Sequence, residues 1–571
     1  MADPKGLARG LTQYADRAYA LYLRRSYARS MGYSAAMLDR PVVGIADTGS
    51  GFNSCHRLMP ELIEAAKRGV IAAGGLPLAF PTVSLGEVYL SPTSLYLRNL
   101  MAMDTEEMIR AQPMDAAVLV GGCDKTVPAQ LMGAISAGTP AIQLVVGPMM
   151  TGRYQGERLG ACTDCRRFWA RHRAGEIDDS GIAEVENRLS VTAGTCAVMG
   201  TASTMAAISE TLGMMLPGGA AIPAVHADRL RAAEATGMAA VALIQSKRTP
   251  SQTITAPTIE NALRVLLAIG GSTNAVLHLA AIAGRLGLAL SLTRLNELSD
   301  TTPVLVDLKP TGEHYMEDFF AAGGVGAVLR ELKPLLNLDT VSVTGESLGS
   351  RLERERGDFV DHRVIRKLGA PLQPEGGLVA LFGSLAPKGA ILKRAAADPR
   401  LFEREGRAVV FSSLEDVAQR IDDPALDVQP EDFLVLQNAG PRSAAGMPEA
   451  GSLPIPAKLA RAGVKDMVRI SDARMSGTAY GTVVLHVAPD AASGGPLARI
   501  RSGDRIRLSV KERKLDVLVD SAELARRAVA PEAVPDRGYA RLYHAHVLQA
   551  DQGCDFDFLR AAKPATQENK Q

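Results

Sequence analysis

Cys123, Asp124 and Lys125 stand side by side in the stretch GGCDKTVPAQ, residues 121–130. A thiol is a soft ligand suited to iron or zinc, a carboxylate is a hard ligand suited to magnesium, and an ammonium repels either cation. A plain β-to-α turn after the apolar run AAVLV needs none of the three. The glycine pair permits a tight turn, and Pro128 suits the first turn of a following helix. The trio is therefore expected at the carboxyl end of a buried strand, where open α/β sheets hold ligands, and at the positive end of a helix, which favours a thiolate. Cys55, in GFNSCHRLMPELIEAAKRG, and Cys196, in TAGTCAVMGTASTMAAISETLG, each follow a loop of small residues and are expected to open a helix. Any one of these cysteines reads as readily as a small buried residue. The three together, with Asp124 and Lys125 attached, read as a thiolate-ligated site.

Cys162 and Cys165 form the one CxxC, in ACTDCRRFWARHRAGE. No second CxxC or histidine pair completes a zinc set, and the surroundings read as a charged surface segment, so neither is expected to be a ligand. Cys554, near the end of the sequence, is set aside with them. Three loops rich in small residues add polar groups of the kind that work at strand ends. PTVSLGEVYL carries Glu87, NAGPRSAAGMPEAG carries Glu449, and RISDARMSGTAYGT carries Ser476.

The elements that position these residues follow from local pattern. Up to about residue 370, apolar runs of strand length (PVVGIAD, AAVLV, AIQLVV) alternate with glycine-stopped helical stretches, which predicts a layered α/β domain with a largely parallel sheet over 1–370. A Pro/Gly-rich break, GAPLQPEGG, is followed by seven strand-like segments: LVALF, RAVVF, DFLVLQ, DMVRIS, TVVLHV, RIRLSV and KLDVLV. A second, β-rich domain, barrel or sandwich, is expected over 371–571. The polar tail AAKPATQENKQ is expected to fray. The most apolar stretch, residues 262–290, is interrupted by Arg264, Asn274, His278 and Arg285, so it reads as a buried helix pair and not as a membrane span. With a formal net charge of +1 and no basic block, neither nucleic acid nor an anionic membrane is an expected partner. Six cysteines in 571 residues are no disulfide framework, and the opening MADPKGLARG has no apolar signal core, so a cytoplasmic protein is expected.

Several of these segments carry a family resemblance. CDKTVPAQLMG and SDARMSGTAYG resemble the two signatures of the dihydroxy-acid and phosphogluconate dehydratases, and GFNSCH, TAGTCAVMGTASTM, GGSTNAVLHL, GMPEAG and VAPDAASGGPLARIRSGD are similar to further segments of that family. The resemblance spans about residues 15–550. It implies a 2Fe–2S cluster held by Cys55, Cys123 and Cys196, with one iron position left open to act as a Lewis acid on a leaving hydroxyl. It implies Mg2+ bound by Glu87, Asp124, Glu449 and Lys125, the lysine being carbamylated and so converted to an oxygen anion. Without the resemblance, an ion pair between Lys125 and Asp124 is the preferred reading. It implies Ser476 as the catalytic base, with Thr478 positioning substrate or protonating an enol, and a homodimer or homotetramer. The second signature reads DARMSGTAYG, where branched-chain enzymes typically read DGRFSGGT. It resembles the sugar-acid branch, which acts on arabinonate or xylonate. No arginine–lysine cluster for a phosphate is recognisable. The expected reaction is dehydration of an aldonic acid to its 2-keto-3-deoxy acid. The alternatives are dehydration of 2,3-dihydroxy-isovalerate, or an iron–sulfur electron-transfer or sensor protein; the latter would show a fourth thiolate and no magnesium cluster.

Overall fold

The computed structural model describes residues 5–529 and 533–561; the polar tail from residue 562 on lies outside them. Strands β1 (Val42–Asp47), β2 (Leu76–Pro81), β3 (Ala116–Gly121) and β4 (Ala141–Val145) form a sheet in the order β2-β1-β3-β4, parallel throughout. Successive residues point to opposite faces, and both faces are covered. Val43, Ile45, Val118 and Val120 enter one core, while Val42, Ala46, Ala117 and Leu119 enter another. Double burial is why these strands read as continuous apolar runs and not as alternation. Helices Met59–Ala72, Ser94–Ala111 and Thr126–Ala137 make the three crossovers. The chain adds β2 on one side of β1 and then returns to add β3 on the other. The loops leaving β1 and β3 therefore diverge and open a crevice at the carboxyl edge, the place where such sheets take ligands.

After β4, a hairpin of β5 (Gly152–Tyr154) and β6 (Glu157–Leu159) packs with helices Thr163–Arg173 and Asp179–Leu189 around a small cluster of its own: Tyr154, Leu159, Phe168 and Val185. The apolar stretch 262–290 is a buried helix pair, Ala256–Ala268 and Asn274–Arg285, broken at Gly270–Gly271. No helix among the described residues is long and apolar enough to cross a membrane.

The second half builds an eight-stranded sheet from β7 (Val379–Leu381), β8 (Gly389–Leu392), β9 (Glu403–Phe411), β10 (Phe433–Leu436), β11 (Arg469–Ser471), β12 (Val483–Ala488), β13 (Arg505–Ser509) and β14 (Lys514–Val517), in the order β14-β13-β9-β10-β11-β12-β8-β7. The run β9-β10-β11-β12 is parallel and the flanking pairs are antiparallel. The two edges meet: Phe382 N donates to Arg513 O and Leu515 N to Phe382 O, both at 2.9 Å, so the sheet nearly closes into a barrel. All seven expected segments form strands. β8, the eighth strand, is not among the expected segments.

Two local expectations change. The helix after Cys196 begins only at Thr201, so Cys196 does not open it. That cysteine lies in the loop behind the parallel bridge between Pro148 and Thr195. Gly121 and Gly122 also do not adopt left-handed backbone. They are needed for space: a Cβ on Gly122 would lie 2.1 Å from Val146 Cγ2, and one on Gly121 would lie 2.3 Å from Thr126 Cγ2.

Candidate active site

Glu87 sits in a single turn, Glu87–Tyr89, after β2, and Asp124 and Lys125 sit between β3 and the helix Thr126–Ala137. Glu449 comes from the loop after β10, in the other half of the chain. The structure brings them together: carboxylate oxygens of Glu87, Asp124 and Glu449 lie within 4.8 Å of one another. Lys125, its side chain fully buried, lies among them, with Nζ at 3.0 Å from Glu87, 3.6 Å from Asp124 and 3.9 Å from Glu449. Burial works against ionisation of Glu87, but Lys125, Arg474 and a hydrogen bond from Ser94 outweigh it and hold that carboxyl well below the usual range. Asp124 goes the other way, raised first by burial and then by the neighbouring glutamates, with Lys125 opposing. Three hard oxygen donors this close fit a divalent cation such as magnesium.

Five thiols gather in the crevice: Cys55, Cys123, Cys196, Cys162 and, against Cys162, Cys165. Cys55, on the loop from β1, has Cys123, on the loop from β3, as its neighbour; that thiol, then burial, pushes the Cys55 thiol well up. Cys196 has Cys162 as its neighbour, Sγ to Sγ 3.1 Å. The sequence placed Cys162 on a charged surface segment. The segment is charged, but Cys162 caps the helix Thr163–Arg173 at the end that faces the sheet edge. Cys165 donates to the Cys162 carbonyl at 2.5 Å. Cys554 is buried elsewhere, its Sγ 3.6 Å from Met447 Sδ. The hydrogen bond with Cys162 favours a Cys196 thiolate, but burial, Asp124 and the other thiols outweigh it and raise the group. Raised in this way, the Cys55 and Cys196 thiols would give up their protons to a bound metal, as iron–sulfur ligands do.

Ser476 and Thr478 are buried in the loop after β11, with their hydroxyl oxygens 2.8 Å apart. Gly477 between them has no room for a side chain, since a Cβ would lie 2.6 Å from Ser272 Cβ. Thr163 Oγ1 donates to the Thr478 carbonyl at 2.9 Å, so the helix that starts beside Cys162 also touches the serine loop.

Three contributors were missed from sequence. Arg474, two residues before Ser476, has a fully buried side chain that pairs with Glu449 and, at 3.0 Å, with Glu87. It ties the loop of one half to the carboxylates of the other. His56 accepts at Nε2 from Gly122 N (3.0 Å) and Cys123 N (3.1 Å), while Nδ1 lies 2.8 Å from the Thr48 carbonyl. Burial lowers this imidazole to about 4. Its place beside Cys55 was the available signal. Lys393 is fully buried and donates to the Gly477 carbonyl at 3.0 Å; nothing local in the sequence marks it.

Residues 40–351 match the family described as Dihydroxy-acid/6-phosphogluconate dehydratase N-terminal, and residues 363–554 match its C-terminal counterpart. The chain is 47% identical to L-arabonate dehydratase of Azospirillum brasilense over 557 residues, 95% of each chain. It is 45% identical to 6-deoxy-6-sulfo-D-gluconate dehydratase of Pseudomonas putida over 532 residues, 92% of each. It is 37% identical to dihydroxy-acid dehydratase of Syntrophobacter fumaroxidans over 534 residues, 92% of this chain and 95% of the other.

Proposed function

Because this chain belongs to the dihydroxy-acid/6-phosphogluconate dehydratase family, we propose that it dehydrates an unphosphorylated aldonic acid, such as L-arabinonate or D-xylonate, to the 2-keto-3-deoxy acid. The observation that carries this reading is the convergence of Glu87, Asp124, Lys125 and Glu449 beside the loop of Ser476, bridged by Arg474. The sugar-acid branch is supported by the second signature, and by 45–47% identity to two sugar-acid dehydratases against 37% to a dihydroxy-acid dehydratase.

Glu87, Asp124, Glu449 and a carbamylated Lys125 would hold magnesium, and Cys55, Cys123 and Cys196 would hold a 2Fe–2S cluster. When bound, these groups supply Lewis acidity toward the substrate's carboxylate and hydroxyl oxygens. Ser476 Oγ takes the proton from carbon 2. A serine hydroxyl is a very weak acid, so it serves as an alkoxide, which the Thr478 hydroxyl at 2.8 Å stabilises by donating to it. The carbon–hydrogen pair becomes the carbon 2–carbon 3 double bond as the 3-hydroxyl departs, and the enol tautomerises to the keto acid. No electron leaves the substrate.

Side-by-side kinetics on L-arabinonate, D-xylonate, 6-deoxy-6-sulfo-D-gluconate and 2,3-dihydroxy-isovalerate test the substrate. A pocket built to hydrogen-bond sugar hydroxyls leaves polar groups unpaired around a branched alkyl chain, a mismatch worth up to ~10⁴-fold in discrimination. The sugar acids are expected to lead clearly in kcat/KM. A preference for 2,3-dihydroxy-isovalerate would move the protein to the amino-acid branch.

A further inference from the structure

Beside the three cysteines assigned to the cluster stands a fourth, Cys162, 3.1 Å from Cys196, with Cys165 next to it in turn. A 2Fe–2S cluster bound only by protein takes four thiolates, two on each iron. Here Cys55 lies with Cys123, and Cys196 lies with Cys162 at 3.1 Å. Two thiolates on one tetrahedral metal, with bonds of roughly 2.3 Å, sit about 3.7 Å apart, whereas a disulfide needs about 2.05 Å. The observed 3.1 Å is closer to the spacing of co-ligands than to that of a disulfide.

Cys55 and Cys123 stand on loops anchored directly to the central sheet, and Cys196 follows the bridge that extends it. Cys162 instead caps the helix Thr163–Arg173, which belongs to the satellite layer with its separate small core. The next residue, Thr163, holds the Thr478 carbonyl at 2.9 Å. Cys162 thus stands against Cys196 and one residue from a contact with the loop of Ser476.

We propose that Cys162 is a fourth, exchangeable thiolate, which pairs with Cys196 on one iron in the substrate-free enzyme and yields that position to a substrate hydroxyl. The inference rests on the dehydratase reading above. The exchange is redox-neutral: the Cys162 sulfur leaves with its electron pair, and a substrate oxygen offers a lone pair in its place. A permanent fourth thiolate would suit an electron carrier. The carboxylate cluster and Ser476 beside it call instead for a ligand that can depart. The device would also shield the reactive iron while no substrate is present.

The test uses the full chain purified anaerobically with its cluster. Wild type and Cys162→Ala are compared for iron and sulfide content, for visible absorption, and for the electron paramagnetic resonance of the dithionite-reduced cluster. Equal iron content is expected, with shifted spectra in the substrate-free variant that converge with wild type once the preferred aldonate is added. Alkylation by iodoacetamide, read by mass spectrometry on wild type alone, covers a variant that does not fold. Cys162 should be protected in the loaded protein, and reactive both in cluster-free protein and after the aldonate is added. Identical substrate-free spectra in the two proteins, or equal labelling of Cys162 with and without the cluster, overturn the exchangeable ligand and leave the dehydratase reading standing. Wild type that turns over no sugar acid and holds no iron overturns both.

Discussion

Lys125 and Arg474 set two buried cations against the three carboxylates of Glu87, Asp124 and Glu449. The proposed carbamylation would convert Lys125 from a cation to an anion, and magnesium would restore the two charges lost. The buried charge is then the same before and after, so modification and metal uptake should depend on each other. Calorimetric titration of wild type should show magnesium binding that tightens with dissolved CO2, while Lys125→Ala should bind weakly with no such dependence. A wild-type affinity indifferent to CO2 would remove the carbamate from the site. Ser476 tests proton transfer separately. Ser476→Ala keeps every proposed metal ligand, so magnesium and iron content should be unchanged while kcat falls by 10²-fold or more. A near-wild-type rate would require another base.

Among the elements, the loops after β1 and β3 hold the best-defined part of the site, and His56 joins them. Its neutral ring accepts two backbone N–H groups of the Gly122–Cys123 turn, which have no other acceptor for those hydrogens. Replacing it by alanine should cost on the order of 1–3 kcal/mol for each stranded donor. The pH dependence has a definite sign. Folding lowers the His56 pKa to about 4 from the 6.5 of a free histidine, so the unfolded chain binds more protons between those values. Stability from this group is complete above pH 6.5 and is lost as the pH falls toward 4, by about 3 kcal/mol. Denaturant midpoints of wild type and His56→Gln, measured from pH 7 to pH 4, should therefore converge as the solution is acidified. A constant gap would mean that His56 does not hold the turn as a neutral acceptor.

Across the whole molecule, the last described segment decides how the halves lock. Beyond the barrel, residues 538–559 run back over the first half. Arg98 donates to the Gly553 and Cys554 carbonyls at 2.8 and 2.9 Å, and Arg285 pairs with Asp555 at 2.6 Å with both side chains fully buried. Met447, two residues before Glu449, packs in the same cluster as Tyr543, Cys554 and Phe556. Asp555→Ala would leave the buried Arg285 cation only the more distant Glu106 carboxylate, at 3.6 Å, at a cost of up to about 3–5 kcal/mol. A lowered Tm accompanied by weaker magnesium binding is expected, because the Glu449 loop rests on this segment. A wild-type Tm would show that Arg285 finds relief elsewhere.

What could be read from sequence was whatever repeats or concentrates locally. Doubly buried strands such as AAVLV, glycine-stopped helices and the strand-rich second half follow from apolar period and turn residues over a handful of positions. The cluster Cys123–Asp124–Lys125 was legible because unlike ligands are adjacent in the chain, and Glu87, Glu449 and Ser476 because their loops are rich in small residues. Tertiary structure alone decided the rest. Arg474 meets Glu87 across 387 residues, and Cys162 meets Cys196 across 34, from a segment whose charges mark it only as surface. A charged helix tells which of its faces meets water; it does not tell what stands at its capped end. That depends on how separate elements pack, and packing is set by the complementarity of whole faces, which no local window of sequence contains.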